Sequence, residues 1–422
     1  MKKILLITLL TMSFISMSIP PVPASNESVD RVFHNATIHL GNGKVLPNAT
    51  IAFANGKITR VGYFRMAWQE TDIDLKGKHV YPGFILPNSD IGLNEVGAVK
   101  ATIDGTEVGQ LNPNIRSIVA YNTDSEKTPT LKFNGIMLAQ TTPQGGLVSG
   151  LSSIVQLDAW NWEDAAIKID DGLHLNWPSK MNSKFDFSTF TMKVEKNDKY
   201  EAEVEMIKSL FIDAKNSSQK NLKLDAIKPI FKGQRKVYIH SNEAKSIIDS
   251  INYFKELGVD NIVLITGQGA EPVIDFIKQS NVPVIVEATH TNPQREDSPI
   301  DNGFTMALKL NKAGVLVALG YPGSMSARNL AFVAGTVAAY GVDKEQAIAM
   351  ITGNTAQILG LDKLYGTLEV DKSATLIITE GDALDMKGNV LHSAFIDGRP
   401  IQLEGRQQQL NKRFLDKYNL EN

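Results

Sequence analysis

The chain has 422 residues and no cysteine. That absence excludes disulfides, thiolate metal sites, a cysteine nucleophile and a lipid-bearing cysteine. Strong charge of either sign is also lacking: 43 lysines and arginines stand against 46 aspartates and glutamates. Such mild acidity argues against a nucleic-acid partner. Beyond residue 24 no apolar run approaches the length of a membrane span. No internal repeat, collagen-like period or coiled-coil heptad is present.

At 43% hydrophobic residues, the chain can bury a large core, with room for a small second domain. Residues 1–24 read as a secretory leader. Lys2 and Lys3 are its charged start, Ile4 to Ile19 a mostly apolar run, and Val22-Pro23-Ala24 a small-residue cleavage site. The apolar run is short and is followed by Pro20, Pro21 and Pro23, which favours export over a membrane anchor. A mature chain beginning at Ser25, periplasmic or extracellular, is expected.

Both ends of that mature chain are written in short strands. Arg31 to His39 and Ala49 to Phe53 alternate in polarity and are bounded by Gly41-Asn42-Gly43 and Asn55-Gly56-Lys57. Gly366 to Val370, Ala374 to Ile378 and Ala394 to Ile401 repeat the pattern, so residues 25–80 and 361–405 are expected to build one small β-sandwich domain. Between them, strands at Lys236 to His240, Asn261 to Ile265, Val282 to Ala288 and Gly314 to Leu319 alternate with helical segments. In the segment 242–257, Ala244, Ile247, Ile248, Ile251 and Phe254 cover one helical face, with Gly258 placed to end the helix. This series fits a (β/α)8 barrel over 81–360; the residues alone leave a doubly wound open sheet as an alternative. Residues 201–217 and 406–422 are expected to hold mostly solvated helix, while loop signals crowd the stretch 100–235.

Several motifs, in this order, resemble the imidazolonepropionase-like branch of the amidohydrolase superfamily over essentially the whole mature chain. They are Pro82-Gly83-Phe84-Ile85, Lys312-Ala313-Gly314-Val315, the run from Ala349 through Thr352-Gly353-Asn354 to Gly360, and Tyr365-Gly366-Thr367 with Phe395-Ile396-Asp397-Gly398. The resemblance implies a barrel whose strand ends hold zinc or another divalent metal with histidines and an aspartate, for attack by a metal-bound water on a C–N bond. In this chain the ligand pattern is rewritten. Leu86 stands where the family has aspartate, and Asn88 and Asp90 stand where it has two metal-binding histidines. His240 matches a family histidine, Thr266-Gly267 replaces another, and no acid occurs from Gly314 to Asn329, where the family aspartate belongs.

A remodelled metal site would use Asp90, His240 and His290, three ligands with a place left for water. The plainer alternative makes Asp90 a loop cap and His290 an ordinary loop residue. Trp160 and Trp162, beside the glycine-rich loop 145–150, are candidates to wall a substrate pocket, or else anchor the loop. Arg295 is a candidate grip for a substrate carboxylate, or else pairs with Glu296 or Asp297. Asn88 joins these as a substrate contact. His34, His39, His79 and His392 are given packing or surface roles, and His174 is placed in a loop-rich stretch. Two functions follow. One is an exported hydrolase acting on C–N bonds of small cyclic-amide or dipeptide-like molecules, with Asp90 assisting. The other is an inactive relative that binds a ligand or partners an active subunit, as homo-oligomer or heteromer. A metal-free enzyme using Asp90 and Glu95 has no motif behind it.

Overall fold

The computed structural model describes residues 27–64, 68–287, 289–293 and 297–420, apart from the side chains of Ser183 and Met192. The expected leader and Arg295 lie outside the described residues.

The first strands are β1 (Arg31–His39), β2 (Val45–Ala54), β3 (Lys57–Gly62), β4 (Ile73–Asp74) and β5 (His79–Pro82). The barrel strands follow as β6 (Phe84–Ser89), β7 (Ile136–Thr141), β8 (Val148–Gln156) and β9 (Ala166–Asn176). A separate hairpin, β10 (Met181–Asp186) and β11 (Thr191–Lys196), precedes β12 (Lys236–His240), β13 (Ile262–Thr266), β14 (Val284–Val286) and β15 (Val317–Leu319). β16 (Leu376–Thr379), β17 (Leu391–Ile396) and β18 (Arg399–Pro400) end the series.

The two chain ends share one sheet, ordered β18-β17-β16-β5-β1-β2-β3, with β4 beside β1. Its core gathers Phe33, Phe53 and Phe395, whose ring centroids lie 5.2 to 5.8 Å apart. Edge-tilted rings at that spacing add to the hydrophobic gain.

The second sheet has eight strands ordered β15-β14-β13-β12-β9-β8-β7-β6. It curls into a barrel, and the segment after the helix Lys344–Ala349 bridges the remaining seam. There the amide of Ile85 donates to the carbonyl of Ile351 at 2.9 Å, and the amide of Leu319 to that of Met350 at 3.0 Å. The molecule is therefore a TIM-like barrel beside a β-domain. It departs from a uniform βα repeat in one place: β8 runs antiparallel to both β7 and β9. Loops 142–147 and 157–165 are too short to carry a crossover helix, so a meander takes its place.

Side-chain alternation sorts the strands into two faces. Ile262, Leu264, Val284, Val286, Val317 and Leu319 face the outer helices, while Val263, Ile265, Ile285 and Ala318 fill the interior with Ile85, Leu138, Ile154 and Tyr238. The helix Ala244–Glu256 buries Ile247, Ile251 and Phe254 completely, each contributing about 2 kcal/mol. Gly258, at φ +85°, follows its end, as the sequence spacing predicts. The central strands are shorter than expected: the run from Val282 begins its ladder only at Val284, because Pro283 has no amide to offer.

Candidate functional site at the barrel mouth

Above the apolar interior lies a polar layer set by the same alternation. Continuing inward from Leu138, Ile154, Tyr238, Ile285 and Ala318 toward the carboxyl ends of the parallel strands gives Gln140, Ser152, His240, Glu287 and Gly320. His174 of β9 joins them, its ring stacked on Tyr238 at 4.4 Å and 12°.

These groups form a directed hydrogen-bond string. Asp171 accepts from Ser152 Oγ at 2.6 Å, Tyr238 OH at 2.8 Å and Gln140 Nε2 at 3.2 Å. With its hydrogen given to Asp171, Ser152 Oγ accepts from His174 Nε2 at 2.9 Å. His174 Nδ1 is then an acceptor and faces His240 Nε2, also at 2.9 Å, which donates to it. Each tautomer follows from the one beneath it. Burial pulls His174 well below its ordinary pKa and takes His240 down to about 4, so both rings are neutral near pH 7. Burial raises the Asp171 carboxyl, and its bonds to Ser152 and Tyr238 work against that rise.

On the opposite wall, Asn88 Nδ2 donates to Glu287 Oε1 at 2.5 Å. Asn88 reaches it because β6 slips register between Leu86 and Ser89, and because Asn88 adopts a left-handed φ of 48°. Asparagine tolerates that conformation better than most residues. The amide of Asn88 also donates to Gln140 Oε1 at 3.0 Å, tying this wall to the string. Gly320 lies beside the acid: a Cβ there would be 3.4 Å from Glu287 Cγ, in ordinary contact, and 3.3 Å from Ile285 Cγ2. Burial pushes Glu287 up to about 7, opposed by the Asn88 contact. Over the ends of β12 and β13 opens a groove of about 600 Å³ bordered by Asn242, Gln268, Lys245, Glu271 and Asn302.

The expected site residues are dispersed. Asp90 Oδ2 accepts from Asn94 Nδ2 at 2.7 Å, within its own loop. His290 turns away from the mouth: its Nε2 meets Thr336 Oγ1 of the outer helix Leu330–Ala339 at 2.8 Å, and its ring meets Phe304. Asp90, His240 and His290 therefore do not converge. Trp160 and Trp162 are exposed and follow the carboxyl end of β8, where Gln156 pairs with Leu138 near the start of β7. Because β8 is reversed, they lie at the amino end of the barrel, opposite the mouth. His174, placed by sequence in a loop, is a fully buried strand residue. Glu287 went unsingled, although a lone acid ending the apolar run from Val282 was its signal. Gln140 and Ser152 had none, because nothing in the sequence announced the direction of β8.

Residues 166–401 match the amidohydrolase family profile, and the chain belongs to that family. No curated protein matches its sequence. Among solved structures it is similar to an amidohydrolase from Thermotoga maritima MSB8, at 22% identity and TM-score 0.75, over 88% of this chain and 99% of that one. A prolidase complexed with N-methylphosphonate-L-proline is similar at 14% identity and TM-score 0.53, over 89% and 100%. A Xaa-Pro dipeptidase with bound methionine is similar at 13% identity and TM-score 0.54, over 89% and 100%. At these identities the likeness is one of fold.

The family is typically dependent on divalent metal, and the donors present fit that group poorly. Among the described residues no group of three or more histidine, aspartate or glutamate side chains is arranged to hold a metal ion. His240 Nε2 is bonded to His174 Nδ1 at 2.9 Å.

Proposed function

We propose that this chain is an exported, small-molecule-binding member of the amidohydrolase family that has given up metal-hydroxide hydrolysis. One observation carries the reading: the strand-end groups of the polar layer pair off with neighbours, leaving Asn88 Oδ1 without a partner, and do not converge on one point. A catalytic metal site keeps three protein donors converging on one open position; here His240 and Asn88, at two of the family's ligand positions, are bonded to His174 and Glu287. The groove over β12 and β13 supplies a concave surface of ordinary ligand size. A cyclic amide or dipeptide-like ligand suits its mixture of amide and charged groups. Export rests on the leader pattern of residues 1–24.

Glu287 supports a second reading. A buried acid held near pH 7 can exchange a proton with a bound amide, so acid–base hydrolysis without metal is the alternative. Both are tested on mature protein purified without chelator, with metal content measured before and after zinc supplementation. The same preparation is assayed against cyclic amides and dipeptides, and thermal shift reports binding. Binding without turnover, with substoichiometric zinc, is expected. Turnover abolished by Glu287→Gln at unchanged metal content would establish the second reading. Stoichiometric zinc lost in both His240→Ala and Asp90→Ala, together with C–N hydrolysis, would overturn both.

A further inference from the structure

The hairpin β10–β11 projects from the connection between β9 and the helix Tyr200–Asn216, and its two strands form a sheet of their own. Isolated two-stranded hairpins are at best marginally stable in water. This one is sharply two-faced. The register pairs Lys184 with Lys193 and Asn182 with Glu195, placing charge on one side, where Lys184 meets Glu195 at 3.2 Å and Lys193 meets Asp186 at 2.5 Å. The other side carries Met181, Phe185 and Val194, respectively 46%, 44% and 62% exposed, with Lys196 opposite Met181 at the base. At the turn Phe187 and Phe190 are 80% and 78% exposed, yet both gather edge-on around Phe185, with centroids 5.1 and 6.1 Å away. Three exposed phenylalanines on one short arm exceed what scattered surface apolar residues require.

The edge strand indicates what covers them. All β11 side chains described are exposed, and its edge reads Lys193-Val194-Glu195. In an antiparallel pairing of two identical strands about a two-fold axis, residues equidistant from the centre face one another. Centred on Val194, that rule sets Lys193 of each copy opposite Glu195 of the other, two opposite-charge pairs, with Val194 against Val194. Directly opposed charges are a recognised determinant of strand pairing. The two arms then form one four-stranded sheet, and each aromatic tip extends toward the base of the other arm, where Met181 is exposed.

We propose that this hairpin is a self-association arm, with β11 pairing antiparallel to β11 of a second copy about Val194. Met181 at the base of the arm also borders the groove over β12 and β13, so association is read here by sedimentation and not by ligand binding. The proposal is tested by sedimentation of the full mature chain and of two variants, Lys193→Glu and Glu195→Lys, with circular dichroism to show that each retains the native fold. The wild type is expected to dimerise at micromolar concentration. Each variant alone opposes two like-charge pairs and is expected to dimerise at least roughly tenfold more weakly. An equimolar mixture of the two restores both attractive pairs, so the heterodimer is expected to regain wild-type affinity, which a merely destabilised hairpin would not produce. Phe187→Ser with Phe190→Ser is expected to weaken association as well. A monomeric wild type, variants that dimerise normally, a mixture that fails to recover, or binding of the wild-type arm to anionic lipid vesicles in place of self-association would each overturn the proposal.

Discussion

Asn88 and Glu287 meet on one wall of the barrel mouth at 2.5 Å, joining the first barrel strand to the end of the seventh over a position where Gly320 has no side chain. The contact places an acid in a poorly solvated site where, among the described residues, one amide donor and no cation is bonded to it. Its protonation state is therefore coupled to stability.

Burial raises Glu287 from an ordinary 4.5 to about 7 in the folded chain. Below pH 4.5 both folded and unfolded states hold the proton. Between 4.5 and 7 the unfolded chain has released it and the folded chain has not, so stability falls as pH rises through that window and levels off above it. At about 1.4 kcal/mol per unit, and with the side chain still touched by solvent, the loss is roughly 1–3 kcal/mol. Urea denaturation from pH 4.5 to 8 should show this decline, and Glu287→Gln should remove most of it.

Gly320→Asp restores an acid where the resemblance predicts one, and is expected to destabilise the fold by about 1–3 kcal/mol. Its Cβ would crowd Ile285 at 3.3 Å and Glu287 at 3.4 Å, and its charge would oppose the existing carboxylate. Combined with Glu287→Ala, the same change should cost at least about 1 kcal/mol less than the sum of the single variants, because the two positions share one space. Additive effects in a double-mutant cycle would show that Glu287 does not occupy it.

The donors converging on Asp171 make a further expectation quantitative. Asp171→Asn turns an acceptor into a partial donor facing Ser152, Tyr238 and Gln140, all buried. At least one of those groups loses its partner, at about 2–4 kcal/mol. The same substitution should alter the tautomer of His240, read from imidazole nitrogen shifts in NMR. A change in stability without a change at His240 would sever the string at Ser152.

The barrel and β-domain were legible because their signals are local or periodic. Pro82-Gly83-Phe84-Ile85, the helical face from Ile247 to Phe254, and the turn glycines each report their own surroundings. The site was less legible because it depends on strand direction and on one slipped residue. With β8 assumed parallel, Trp160 and Trp162 come to the mouth; reversed, they leave it and bring Ser152 in. The bulge at Asn88 likewise decides which partner it meets. Matching family ligand positions located His240 correctly on its strand but carried no information about His174, whose importance comes from a neighbour on another strand.

The join between the two sheets offers a last prediction. His39 of β1 stacks on Tyr81 at 4.1 Å, while its Nδ1 faces Glu345 at 2.8 Å and its Nε2 faces His79 at 2.9 Å. Glu345 lies on the helix Lys344–Ala349 that precedes the barrel seam, so His39 connects the β-domain to barrel closure. His39→Phe keeps the stacking area but removes both polar contacts, leaving the largely buried Glu345 without its histidine. Leaving a buried group without its hydrogen-bond partner costs about 1–3 kcal/mol, and a loss in that range is expected here. Glu345→Leu in the same background should recover part of that loss by removing the stranded carboxylate. Equal urea midpoints for wild type and His39→Phe would mean that packing alone holds the two sheets together.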